Sequence, residues 1–222
     1  MSSENSTCEI ILIRHGQSIG NLKRIYLGHT DWDLSDLGKE QAQLCADYFK
    51  DEKITAVYTS DLLRAYNTAK PHAILHNLTV NPMRILREVH VGAWEGQPVD
   101  SIIENWHDEF VIEWTERFGT STPPGGEPVF EAGKRMYNAL LDIARNNVGG
   151  KVLVAAHAAI IRAFWCYANA VEPEKWADYV PFPNNASASF VSFDGEKLVT
   201  KRFSFNDYLP SVSDKKSIGL GF

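Results

Sequence analysis

Ile10-Ile11-Leu12-Ile13-Arg14-His15-Gly16-Gln17-Ser18 decides how the rest of the chain is read. An apolar, β-branched run breaks abruptly into Arg-His-Gly. A buried strand looks like this when its end delivers side chains to a crevice at the sheet edge. Gly16 permits a turn at positive φ or a close backbone approach. Arg14 offers the planar fork of donors that suits a phosphate. His15 can serve as a nucleophile at neutral pH, where an ordinary imidazole is mostly uncharged. Taken alone, Arg-His-Gly suits a hydrogen-bonded histidine at a strand end equally well.

Other segments repeat the pattern. Ala56-Val57-Tyr58-Thr59 reads as a strand leading through Ser60-Asp61 into a helix that carries Arg64 in its first turns. Val152-Leu153-Val154-Ala155-Ala156 reads as another, ending in His157 and followed by a buried helix. Ile85 to Val91 is expected as a strand with Glu88 and His90 on one face. Ser35 is an N-cap candidate for a helix to about Lys50, and Val99 through Trp114 marks one amphipathic helix. A further helix spans Glu127 to about Asn147, and Ser189–Phe193 with Leu198–Phe203 predicts a hairpin turning at Asp194-Gly195. The Trp, Phe and Met stripes on these helices read as core. Alternating strands and helices imply a layered α/β fold with a mainly parallel sheet. We expect one domain over residues 1–222, with a helical lid-like excursion at about 97–126 and a polar tail at 206–222. In such sheets ligands sit at the strands' carboxyl ends, where Arg14, His15, Arg64, Glu88 and His157 can converge.

Composition narrows the function. The 222 residues carry 44% hydrophobic and 23% charged side chains, ordinary for a globular protein with a sizeable core. A net charge of −6 without a basic block speaks against nucleic acid or an anionic membrane as partner, while a few local Arg residues still suit a small anion. Cys8, Cys45 and Cys166 are widely spaced, with no Cys-x-x-Cys pair, which argues against a disulfide framework or a zinc site and suits a reducing, cytoplasmic setting. No signal peptide or membrane span is expected. His72 and His76 stand four apart, a spacing that can bind metal. With no acidic or histidine partner near them in sequence, they read as exposed residues near a helix C-terminus. No metal or cofactor is expected, and oligomeric state has no sequence signal.

A possible nucleophile, two guanidiniums, a second histidine and a carboxyl group suit phosphoryl transfer, with the guanidiniums on the equatorial oxygens and the carboxyl moving protons. Longer motifs then give a resemblance. Arg14-His15-Gly16-Gln17-Ser18-x-x-Asn21, Gly28-x-x-Asp31 through Leu34 and Gly38-x-x-Gln41-Ala42 resemble the opening signature of the histidine phosphatase (phosphoglycerate mutase-like) superfamily. Thr59-Ser60-Asp61-Leu62-Leu63-Arg64-Ala65-x-x-Thr68-Ala69, Leu86-Arg87-Glu88 and Gly92-x-Trp94-Glu95-Gly96 follow in family order. Val154-Ala155-Ala156-His157 and Asn185-Ala186-Ser187 complete it, and Pro124-Gly125-Gly126-Glu127 is similar to a loop of the phosphatase branch.

The resemblance implies a three-layer α/β/α sandwich and a metal-independent phosphomonoesterase for a small phosphorylated metabolite. It makes His15 the phosphorylated nucleophile and Glu88 the proton donor and acceptor. Arg14, Asn21, Arg64 and His157 would hold the phosphate, with Gln17 and Ser18 nearby. Two departures stand out: Ala158-Ala159 replaces the usual glycine after the second histidine, and His90 sits where relatives are often acidic or aromatic. A phosphoglycerate mutase is the rival, but mutase relatives usually carry a longer, more basic insert. Here 97–126 holds Arg117 as its one Lys or Arg. A phospholigand-binding pseudo-enzyme is a third reading, supported by Ala158 alone.

Overall fold

The computed structural model describes residues 7–210. In chain order these form β1 (Cys8–Arg14), α1 (Ile19–Leu22), β2 (Ile25–Tyr26), α2 (Asp36–Tyr48), β3 (Ile54–Thr59), α3 (Leu63–Leu75) and β4 (Val80–Pro82). There follow β5 (Gln97–Pro98), α4 (Val99–Asn105), α5 (Val129–Arg145), β6 (Lys151–Ala156), α6 (Ala158–Ala168), α7 (Trp176–Tyr179), β7 (Ala188–Phe193) and β8 (Leu198–Phe205). The sheet order is β4-β3-β6-β1-β7-β8. Pairing is parallel from β4 to β1, and the β7–β8 hairpin closes the sheet antiparallel to β1. This is the mainly parallel α/β sheet with flanking helices that the sequence implies.

Side-chain alternation along β1 makes the layers. Ile10 and Leu12 face a core shared with Met136, Leu140, Ile160 and Phe164 of α5 and α6. Ile11 and Ile13 face a second core shared with Cys45, Phe49, Ala69 and Ala73, on the side of α2 and α3. A strand apolar on both faces stays fixed only between two helical layers. Leu12 is wholly buried, so Leu12→Ala costs ~2–5 kcal/mol.

Register sets the crevice. Arg14 pairs with Ala156 in the parallel β1–β6 ladder, so His15 and His157 leave the sheet side by side. The His15 N–H still donates to Ala156 O.

Three local expectations need correction. Residues 85–91 are not a strand. Arg84–Leu86 forms a 3₁₀ turn and the chain then runs irregularly, because β4 with its Pro82 is the sheet edge and offers no partner strand beyond itself. The stretch from Val99 to Trp114 is not one helix. Trp106, at φ −137°, ends α4, and a π-helical segment runs over Asp108–Glu116. His72 is fully buried rather than exposed, and His76 is half-buried. Within the expected tail, Tyr208 is partly buried, and residues 211–222 lie outside the described part.

Candidate active site

His15 stands at the β1 terminus and is 4% exposed. Its Nδ1 lies 2.7 Å from Gly16 O, so the ring proton sits on Nδ1 and the lone pair on Nε2. Burial, then the charges of Arg64 and Arg14, hold its pKa well below the ordinary histidine value. An imidazolium there would lose hydration and face two guanidiniums, so the ring stays neutral. Gly16 meets the expected close approach rather than a positive φ: a Cβ there would come within 2.4 Å of Gly38 O, where α2 packs against the turn.

The cations are fixed by backbone carbonyls. Arg14 donates from Nη1 to Pro183 O at 2.6 Å. Arg64, buried in the first turn of α3, donates to Gly28 O at 2.7 Å and Thr30 O at 2.9 Å. Burial lowers its pKa to about 10, which leaves the guanidinium charged at neutral pH. Asn185 Nδ2 and Ala186 N both donate to His15 O, at 3.2 and 3.1 Å, tying the 183–187 loop to the turn.

His157 packs its ring edge-on against His15, with centroids 5.2 Å apart. It is wholly buried, and neither ring nitrogen has a hydrogen-bond partner among the described residues. Burial and the Arg64 charge depress its pKa strongly. An unsatisfied N–H and an unsatisfied ring lone pair are a standing cost, and a bound acceptor would relieve the N–H.

Glu88 hangs on α6. Its carboxylate accepts from Ile160 N at 2.8 Å, Ala159 N at 3.0 Å and its neighbour Val89 N at 2.9 Å. The first two are orphan donors of the α6 start. Ala158 and Ala159 open α6 without positive φ, so alanine in place of glycine brings no strain.

Because 85–91 lacks a ladder, side chains hold it. Arg135 of α5 donates to the carbonyls of Ile85, Arg87 and Glu88 at 2.5, 3.1 and 3.3 Å, and pairs with Glu127 at 2.5 Å. His29 Nε2 donates to Glu88 O at 2.8 Å. Glu127 accepts from His90 N at 3.0 Å. Gly92, at φ +53°, lets the 123–126 loop dock, since a Cβ there would meet Pro124 O at 2.1 Å. Glu95 joins the two halves: it accepts from Val91 N beyond Glu88, and from His29 N and Thr30 N in the loop whose carbonyls hold Arg64.

The structure thus brings Arg14, His15, Asn21, Arg64 and Glu88 to one crevice, with His157 against His15. Gln17 and Ser18 turn away. The Gln17 amide and side chain bond Gln41 and Ser35, and Ser18 caps α1 with Asn21 in a capping box. His90 faces His29, 5.1 Å away, in a neighbouring pocket with Arg87 and Arg135. Sequence reasoning missed Arg135, Glu127, Glu95 and His29 as supports. Glu95 and Glu127 lay inside quoted motifs, while Arg135 had no signal beyond its place on a helix. Among the described residues no cluster of three His, Cys, Asp or Glu gathers to hold a metal, and no helix is long and apolar enough to cross a membrane.

Fold and crevice define an α/β protein with an anion-directed site at the carboxyl edge of its sheet. The chain belongs to the histidine phosphatase superfamily (branch 1), whose family model matches residues 10–206. It is 32% identical over 200 residues to phosphoglycerate mutase-like protein 4 of Arabidopsis thaliana, covering 88% of this chain and 84% of that one. It is 29% identical over 201 residues to phosphoserine phosphatase 1 of Hydrogenobacter thermophilus, covering 90% and 94%. The solved mycobacterial glucosyl-3-phosphoglycerate phosphatase in complex with VO3 superposes with a TM-score of 0.80 at 25% identity, over 89% of this chain and 99% of that one.

Proposed function

We propose that this protein is a phosphomonoesterase that hydrolyses a small phosphorylated metabolite through a phosphohistidine at His15, without a metal. One observation carries the reading: His15 is neutral, its Nδ1–H is committed to Gly16 O, and its free Nε2 lies beside Arg14 and Arg64.

Phosphate oxygens bind Arg14 and Arg64, with Asn21 beside them and a His157 N–H supplying one more donor. Nε2 forms a bond to phosphorus as the ester P–O bond breaks, and protonated Glu88 delivers its proton to the departing oxygen. Water then attacks the phosphohistidine, its proton passes to Glu88, and orthophosphate leaves. Glu88 lines the same crevice and is held at the α6 start by Ala159 N and Ile160 N. The guanidiniums meet the charge on the equatorial oxygens in both steps. Three buried free thiols suit a reducing cytoplasm.

Hydrolysis of p-nitrophenyl phosphate in excess EDTA, by the unmutated protein and by His15→Ala, tests this. Full turnover in the first and almost none in the second are expected. Activity lost to EDTA and restored by Mg²⁺ or Zn²⁺, or undiminished in His15→Ala, contradicts it.

A further inference from the structure

Resting on that reading, we infer that the preferred substrates are phosphomonoesters of uncharged alcohols or phenols with an apolar body, and that carboxylate-bearing phosphates are turned over poorly. The argument lies in the crevice walls. Part of the lining is polar and cationic, supplied by Arg14, His15, Asn21, Arg64 and Glu88, and the rest is supplied by Ile25, Tyr26, Leu27, Val91, Trp114 and Phe182. Trp114 is wholly buried and braced by ring contacts with Tyr26, Trp94 and Phe118 at 5.9, 5.8 and 5.3 Å. Phe182 is clamped from behind, with Arg162 Cζ 4.4 Å from its ring and 4.5 Å from that of Phe118. These walls are packed into place and are built mainly of carbon.

Charge points the same way. Among the described residues, Arg14 and Arg64 are the two Lys or Arg side chains lining the crevice, and both are committed to the phosphoryl end. Among neighbouring cations, Arg87 pairs with Asp61 at 2.6 Å, Arg135 with Glu127, and Arg162 donates to Val180 O and Ala177 O, while Arg84 stands exposed in the adjoining pocket rather than in the crevice. A substrate carboxylate would therefore be desolvated against largely apolar walls without a cationic partner, the Trp114 indole N–H being a neutral donor only, and would face the Glu88 carboxylate in the same cavity. An aryl or alkyl body would gain from the same burial.

The test compares 3-phosphoglycerate with its carboxyl methyl ester, a pair differing in the charge and keeping the phosphorylated alcohol, alongside benzyl phosphate and O-phosphoserine. The ester and benzyl phosphate are expected to exceed the two acids in kcat/KM by at least ~10-fold, the effect of one unpaired charge. Phe182→Lys should narrow the ester-to-acid ratio while leaving benzyl phosphate measurable. Equal or better turnover of the free acids by the unmutated protein overturns the inference and leaves the phosphatase reading standing. Absence of His15-dependent turnover on every ester overturns that reading and this inference with it.

Discussion

The crevice has two halves built on different physics. On the His15 side, position comes from strand register: Arg14 pairs with Ala156, and the two histidines leave adjacent parallel strands together. On the Glu88 side no ladder exists, and an irregular segment is slung from Arg135, His29, Glu127 and Glu95 by side-chain bonds to its backbone. One half is fixed by the sheet and cannot shift without unfolding it. The other is fixed by a few side-chain bonds that single substitutions can remove. Substitutions that strike one half alone break or sharpen this contrast.

Arg64→Ala strikes the sheet side and has the largest expected effect. Loss of a positioned donor to the transition-state oxygens should lower kcat/KM by ~10²-fold or more, with weakened inhibition by inorganic phosphate. Near-normal turnover would reduce Arg64 to a structural tie between α3 and the 28–30 loop.

Arg135→Met strikes the other side. Misplacing Glu88 by a fraction of an ångström should cost ~10–100-fold in kcat, with phosphate inhibition nearly unchanged because the anion grip lies across the crevice. If phosphate affinity fell as far as kcat, the halves would not be separable. Arg135→Lys should rescue little, since three carbonyls and a carboxylate need the planar fork.

Glu95 spans the divide, so Glu95→Gln should lower both kcat and phosphate affinity, by roughly 10-fold in kcat/KM. Added to Arg64→Ala it should cost much less than it does alone, because part of its effect passes through Arg64. Full additivity would mean that Glu95 supports only the general fold.

The smallest effect concerns stability, away from the crevice. Burial lowers the His72 pKa from the ordinary 6.5 to about 3. As pH falls below 6.5 the unfolded chain binds a proton that the folded chain refuses, so stability is lost progressively down to about pH 3. His72→Gln should therefore remove about 2 kcal/mol of the loss in unfolding free energy between pH 7 and pH 5, read by urea titration at each pH. An unchanged difference would show that His72 is not desolvated as described.

The same contrast explains what the sequence disclosed. The His15 half was legible because an apolar run, a break and parallel pairing are local or periodic signals, and the family motifs fell on them. The Glu88 half was misread as a strand because Ile85, Val89 and Val91 imitate one. Val89 and Val91 are buried by the core rather than by a ladder, and Ile85 is exposed. Arg135 acts through backbone carbonyls some 50 residues away, which no periodicity encodes. His72 was misread for another reason: its place near a helix end suggested exposure, although helical spacing sets it with Ala65 and Ala69 on the buried face of α3. Gln17 and Ser18 belong to the motif but serve the turn rather than the cavity.

Capture of the covalent intermediate tests the central claim most directly. Glu88→Gln removes the base for the attacking water, while an aryl phosphate with a good leaving group still transfers its phosphoryl group to His15 without an acid. Rapid quench of that variant, followed by intact mass and peptide mapping, should show acid-labile, alkali-stable phosphate accumulating on His15 and absent from His15→Ala. Phosphate mapped to Ser18 or any other side chain, or undiminished turnover by His15→Ala, would contradict the account.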